Sequence, residues 1–182
     1  MEQATTSRFL NLSPKALRVL RASLERDHGL PAAAYLQEAG FAAGEDTFAA
    51  FEAWLKKTHG IATAGDLDAT YLEEVVSEFF AEHGWGTLKL TQVSPAVLAL
   101  DSADWAEANP EKGAQYPCCH VSSGLLADFL GRLAGQTVAA MEVECRTRGD
   151  DGCRFLVGSP ETLAAVYERM SAGVSYAEAC QG

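Results

Sequence analysis

The chain has 182 residues, close to one ordinary domain of about 150, and its 48% apolar and 21% charged content excludes a disordered, collagen-like or simple coiled-coil protein. Its 14 basic and 25 acidic residues give a net charge of −11, which disfavours a phosphate backbone, so no direct nucleic-acid partner is expected. No window approaches about 18 uninterrupted apolar residues, and Met1 to Arg8 lacks the basic-then-apolar layout of a signal peptide, so the expected location is the cytoplasm, off the membrane.

In chain order, Ser13-Pro14 opens a helix with a hydroxyl cap and a proline at the first position. Leu17, Leu20 and Leu24 recur on one face, Lys15, Arg18 and Arg26 form a solvated face, and Gly29 and Pro31 end the helix. A second helical region runs from about 32 to 57, where Gly40 and Gly44 allow a break into two helices. Asp66 or Asp68 caps the next helix, whose Leu72, Val75, Val76, Phe79 and Phe80 follow helical spacing as far as Gly84.

The period then changes. Thr87 to Thr91 alternates as a half-buried strand does, and Val97 to Leu100 returns after a Ser94-Pro95 turn. A polar loop from 101 to 117 contains Trp105. Val121, Leu125, Leu126, Phe129, Leu130 and Leu133 mark a further helix, ended by Gly135. Strands are expected over 138–145 and 153–157, joined by an Arg148 to Gly152 turn. Ser159-Pro160 opens a last main helix with Leu163, Val166, Tyr167 and Met170 as its core face. Helices, hairpin, helix, hairpin, helix is the order of an α+β domain with a four-stranded antiparallel sheet.

Five cysteines remain: Cys118, Cys119, Cys145, Cys153 and Cys180. An odd number in a reducing compartment argues against a disulfide framework. Cys145 and Cys153 end and begin the two strands of one hairpin, and Glu142 and Glu144 precede Cys145. Three thiolates and one carboxylate would close a tetrahedral zinc shell, leaving no open position for catalysis. Glu142 and Cys145 are three residues apart, which places them on opposite faces of an ideal strand, so a bulge must bring them together. Spacing alone leaves two other readings open: small buried apolar cysteines, or a redox pair of Cys145 and Cys153.

A cysteine before a helix, then Glu142-x-x-Cys145, Gly149 and Cys153-Arg154-Phe155, resembles the 4-vinyl-reductase domain family, whose members include stand-alone proteins and the sensor domains of phenol- and xylene-responsive activators. Pro117 and Gly124 fit the same pattern. The resemblance is best over about 85–157. It implies a structural zinc on Cys119, Glu142, Cys145 and Cys153, with Cys118, Glu144 and His120 as alternates. It also implies a fold similar to transport-protein-particle (TRAPP) subunits, usually dimeric, with residues 1–60 as a helical dimer or partner surface and 61–182 as the zinc-containing, ligand-binding region of one compact domain.

The implied ligand is small and apolar or aromatic. Trp105 resembles the tryptophan that anchors phenol in the sensor members, and His83, Trp85, Tyr71, Phe79 and Phe80 are further wall candidates. Each has a plainer role: core for the phenylalanines, a helix C-terminus for His83, a turn or loop plug for the tryptophans. The family name suggests reduction of a tetrapyrrole vinyl group, and zinc could serve hydrolysis. The chain, however, has no GxGxxG after a strand, no GxSxG and no HExxH. The reading of the sequence is therefore a small-molecule sensor or carrier that passes its output to a partner protein, with an enzyme or a dimeric adaptor as alternatives.

Overall fold

The computed structural model describes residues 12–111 and 113–181; the stretch Met1 to Arg8 read above lies outside them. Helix α1 (Pro14–His28) starts where Ser13 Oγ accepts the Ala16 N–H at 3.2 Å, and ends at Gly29 with φ +64°. Helix α2 (Ala32–His59) is a single continuous helix, not two. Its glycines are points of close approach rather than breaks. A Cβ on Gly40 would enter the backbone of Val121, one on Gly44 would strike Asp128, and one on Gly124 would enter the backbone of Gln37. Glycine on both sides lets α2 and α4 (His120–Ala134) cross backbone to backbone. A short 3-10 turn, Ala69–Tyr71, capped by Asp68 on the Thr70 N–H, leads into α3 (Leu72–Glu82).

The strands are β1 (Lys89–Ser94), β2 (Val97–Ser102), β3 (Ala139–Glu144) and β4 (Cys153–Gly158). They form one antiparallel sheet in the order β1-β2-β4-β3. Alternation along β2 and β4 splits their side chains between two cores. Leu100 and Phe155 face the α2–α3–α4 layer, where Phe51, Phe79, Phe80, Leu126 and Phe129 are buried. Ala99 and Leu156 face α5 (Pro160–Ser171) and α6 (Tyr176–Ala179), meeting Leu163 and Val166. The fold is therefore α+β, with helices on both faces of the sheet. Full burial of each such large apolar side chain contributes about 1.5–3 kcal/mol.

Three expectations are corrected. The inward stripe of α1 is Leu17, Arg21 and Leu24; Leu20 is 50% exposed because no element covers that side. Arg18 is not simply solvated but donates to the Ala108 carbonyl at 3.0 Å. Tyr167 is 61% exposed, since α5 turns only Leu163 and Val166 fully inward. Among the described residues, no helix is long and apolar enough to cross a membrane.

Candidate functional site

The bulge required by the Glu142–Cys145 spacing is present. Glu142 pairs with Phe155, but Glu144 pairs with Arg154, so two steps along β3 match one along β4. The extra residue, Val143, shifts the alternation. Glu142 and Cys145 then share the face of Phe155 and Cys153, toward α4. Glu144 goes to the other face, where it accepts from the Tyr176 hydroxyl and lies near Arg154. The turn after β3 is fixed by Asp150, which accepts the Cys145 N–H at 2.7 Å and pairs with Arg148. Arg148 in turn donates to the carbonyl of the bulged Val143 at 2.9 Å.

The candidate metal centre follows from this register. One ligand atom each from Cys119, Glu142, Cys145 and Cys153 lies within 4.8 Å of every other. Cys119 Sγ and Cys145 Sγ are 3.8 Å apart, and all three thiols are at most 1% exposed. Glu142 Oε2 accepts the Cys119 N–H at 2.8 Å, which ties β3 to the start of α4. Its other oxygen, Oε1, is buried and has no hydrogen-bond partner among the described residues. An unpartnered buried carboxylate oxygen is costly and calls for an explanation.

The electrostatics point the same way. Bonds from the thiols of Cys118, Cys119 and Cys153 hold Cys145 far below the usual thiol value of 9.0, against its burial. The bond to Cys145 pushes Cys119 well up, helped by the bond to Cys153 and by burial. Burial, then the charge of Cys145, raises Glu142 to about 8. The cluster sustains little negative charge by itself, and a cation would let all four donors ionise. The residues present fit a metal ion. Cys118, one of the sequence alternates, has its sulfur 4.0 Å from Cys145 Sγ but lies outside the group of four. His120 begins α4, half-buried, and burial lowers its pKa; it is also outside the group.

A second buried network had no counterpart in the sequence reading. The Glu107 carboxylate, 1% exposed, accepts the Ser122 N–H at 2.7 Å and the Val121 N–H at 3.2 Å, capping α4. It also accepts the Ser122 hydroxyl, whose oxygen accepts the Trp105 indole N–H at 2.7 Å. Arg21 of α1 donates to the Cys118 carbonyl at 3.0 Å. Burial raises the Glu107 pKa despite these donors and the Arg21 charge. The available signal was Arg21 itself, an arginine on the same helical stripe as Leu17 and Leu24.

Of the expected ligand residues, the structure brings most into one packed stack. Trp105 is 0% exposed, with Phe80, Trp85 and Phe155 ring centroids 5.6–5.9 Å away. Phe79 packs on Phe80, and the His83 ring lies 4.3 Å from Phe79, with Nδ1 2.7 Å from the Phe79 carbonyl. Tyr71 is 57% exposed and lies outside the stack. The most apolar open space is elsewhere. A cavity of about 560 Å³ opens between the β1–β2 hairpin and the C-terminal end of α4. Leu90, Leu98, Leu130, Leu133, Val138 and Val157 are among its walls, and none of the five expected ligand residues lines it.

Comparison with known proteins agrees with this architecture. Residues 103–159 match the model of the 4-vinyl-reductase domain family. An uncharacterised protein of Methanocaldococcus jannaschii is 32% identical over 82 residues, which is 45% of this chain and 44% of that protein; the chain thus spans less than half of that relative's length. The phenol-responsive sensory domain of the transcription activator PoxR, solved with phenol, superposes with a TM-score of 0.62 at 20% identity, over 84% of this chain and 77% of that one. Subunit 3 of the trafficking protein particle complex from Naegleria fowleri, covalently bound to palmitic acid, gives 0.60 at 13% identity, over 80% and 91%. Both superpositions show a shared fold. Over residues 103–159, the segment that contains the whole thiol–carboxylate cluster, the chain belongs to the 4-vinyl-reductase domain family.

Proposed function

We propose that this chain is a small-molecule binding module, a sensor or carrier for an apolar ligand, built around a structural zinc ion on Cys119, Glu142, Cys145 and Cys153. The observation that carries the reading is the position of α4. Its N-terminus joins the cluster through Cys119, and its C-terminal leucines wall the apolar cavity. Zinc bound by thiolates at about 2.3 Å sets neighbouring sulfurs about 3.8 Å apart in a tetrahedron. The Cys119–Cys145 separation supports that geometry. The four donors would leave no open position, so the metal would pin the β3–β4 hairpin to α4 rather than perform chemistry. The phenol and palmitate named for the two structural neighbours are in keeping with an apolar ligand, held by a cytoplasmic protein.

An apolar outer surface favours a further role for residues 1–60. Val19 and Leu20 of α1, Leu30, and Tyr35 and Phe41 of α2 are all at least half exposed. We place the homodimer or partner contact there, as the route by which ligand binding is read out. The test of the binding reading is titration of the zinc-loaded protein with the neutral apolar dye N-phenyl-1-naphthylamine. Saturable fluorescence at one dye per chain is expected. Folded, zinc-loaded protein that leaves the dye in water would overturn the reading.

A further inference from the structure

We propose that the cavity at the C-terminal end of α4, rather than the Trp105 stack, is the ligand site, and that it takes an uncharged aliphatic molecule of the alcohol or ester type. This rests on the small-molecule reading above and narrows it. The region round Trp105 is closed: Trp105, Phe80 and Phe155 are each 0% exposed, and the indole N–H is already satisfied by Ser122. The cavity, at about 560 Å³, lies within the roughly 300–1,000 Å³ range of small-molecule sites.

The walls specify the class of ligand. They are aliphatic side chains with no aromatic ring among the described residues, so a flat aromatic ligand would gain no ring–ring contact there. Among the described residues, no Asp, Glu, Lys, Arg or His lines the cavity. A carboxylate or ammonium would therefore be desolvated without a partner, which is strongly unfavourable. The polar groups present are neutral. Ser159 and Thr162 are bonded to each other at the start of α5, and the Gln92 amide donates to the Ser94 carbonyl. The Gln136 amide and Thr137 hydroxyl, exposed beside the cavity, make no side-chain hydrogen bond among the described residues. They can meet one hydroxyl or ester carbonyl at the end of an aliphatic chain. Leu98, 38% exposed, is where a charge can be added to the wall without entering the core.

The experiment is calorimetric titration of the zinc-loaded protein at pH 7.5 with 1-decanol, decanoate and phenol, repeated on Leu98→Lys and Trp105→Phe. Decanol should bind the parent one per chain and decanoate at least about tenfold more weakly. Leu98→Lys should reverse that order, and Trp105→Phe should leave decanol affinity within about threefold, since it touches a different region. Circular dichroism checks that each variant is folded; Leu98→Lys decides the matter alone if Trp105→Phe is not. Decanol binding untouched by Leu98→Lys but lost in folded Trp105→Phe would move the ligand to the aromatic stack, overturning this assignment and sparing the small-molecule reading. Failure of all three compounds to bind folded parent protein would overturn both. A parent that binds none of them and changes from dimer to monomer on Leu98→Lys would show that a second copy covers the cavity.

Discussion

At its N-terminus α4 meets three thiols, two carboxylates and a buried arginine; at its C-terminus it meets leucines and open space. The polar end is determined bond by bond. Glu142 caps through the Cys119 N–H, Glu107 through Val121 and Ser122, and the β3 bulge exists to aim Glu142 at the same place as Cys145. A buried polar group left without a partner is expensive, so this end has one arrangement. The apolar end is held by non-directional burial, which tolerates a gap between leucines at modest cost. One helix thus combines a rigid anchor with an adaptable wall, the division of labour a binding module needs.

The difference between the ends can be broken most forcefully at the anchor. Cys145→Ser should release the metal and lower the melting temperature by about 10 °C or more, because structural zinc binding and folding are linked. Calorimetry with elemental analysis would show it, and unchanged zinc content and melting would contradict the site as drawn. Next in size is Gly124→Ala. Its Cβ has no room against the Gln37 backbone, so α2 and α4 must separate, at a cost of about 2–3 kcal/mol in urea unfolding. A loss under about 0.5 kcal/mol would mean that the helices are not in backbone contact.

Glu142→Gln sharpens the comparison within the anchor. The amide can still accept the Cys119 N–H but brings no charge, so zinc affinity in a chelator competition should fall at least about tenfold while the fold persists. Parent-like affinity would remove Glu142 from the ligand set. The smallest effect is expected at Asp104, away from both ends. Burial raises its pKa, but hydrogen bonds from Thr87 and Ser102 outweigh it and hold the carboxyl below its usual 3.8. A lowered pKa stabilises the fold above about 3.8, and that contribution is lost as pH falls through the lowered value. Asp104→Asn should therefore be less stable than the parent at pH 7, by under about 1 kcal/mol, with the gap closing in acid. A gap that persists at pH 2 would refute the assignment.

The anchor was far more legible in the sequence than the wall. Thiols and a carboxylate carry their chemistry in their identity, and their spacing even required the bulge at Val143. The glycines of α2 misled because glycine marks both a helix break and a close approach, and only the position of α4 decides between them. The leucines of α1 show an apolar stripe, but periodicity does not say whether a partner element covers it; Leu20 is uncovered, and Arg21 is drawn inward by carbonyls that lie far along the chain. Trp105 was singled out correctly as special, yet its bond to Ser122 joins residues 17 positions apart across a loop, which no local pattern reveals. The short helix α6, four residues long, is below what periodicity can detect. The cavity is an absence of atoms among leucines, and leucines spell core and pocket alike.

The central claim is that the four-residue cluster is a zinc site. Native mass spectrometry of protein purified without chelator or added metal tests it most directly. One zinc per chain, lost in Cys145→Ser, is the predicted result. A parent chain that arrives metal-free, with all five thiols intact and its fold unimpaired, would contradict it.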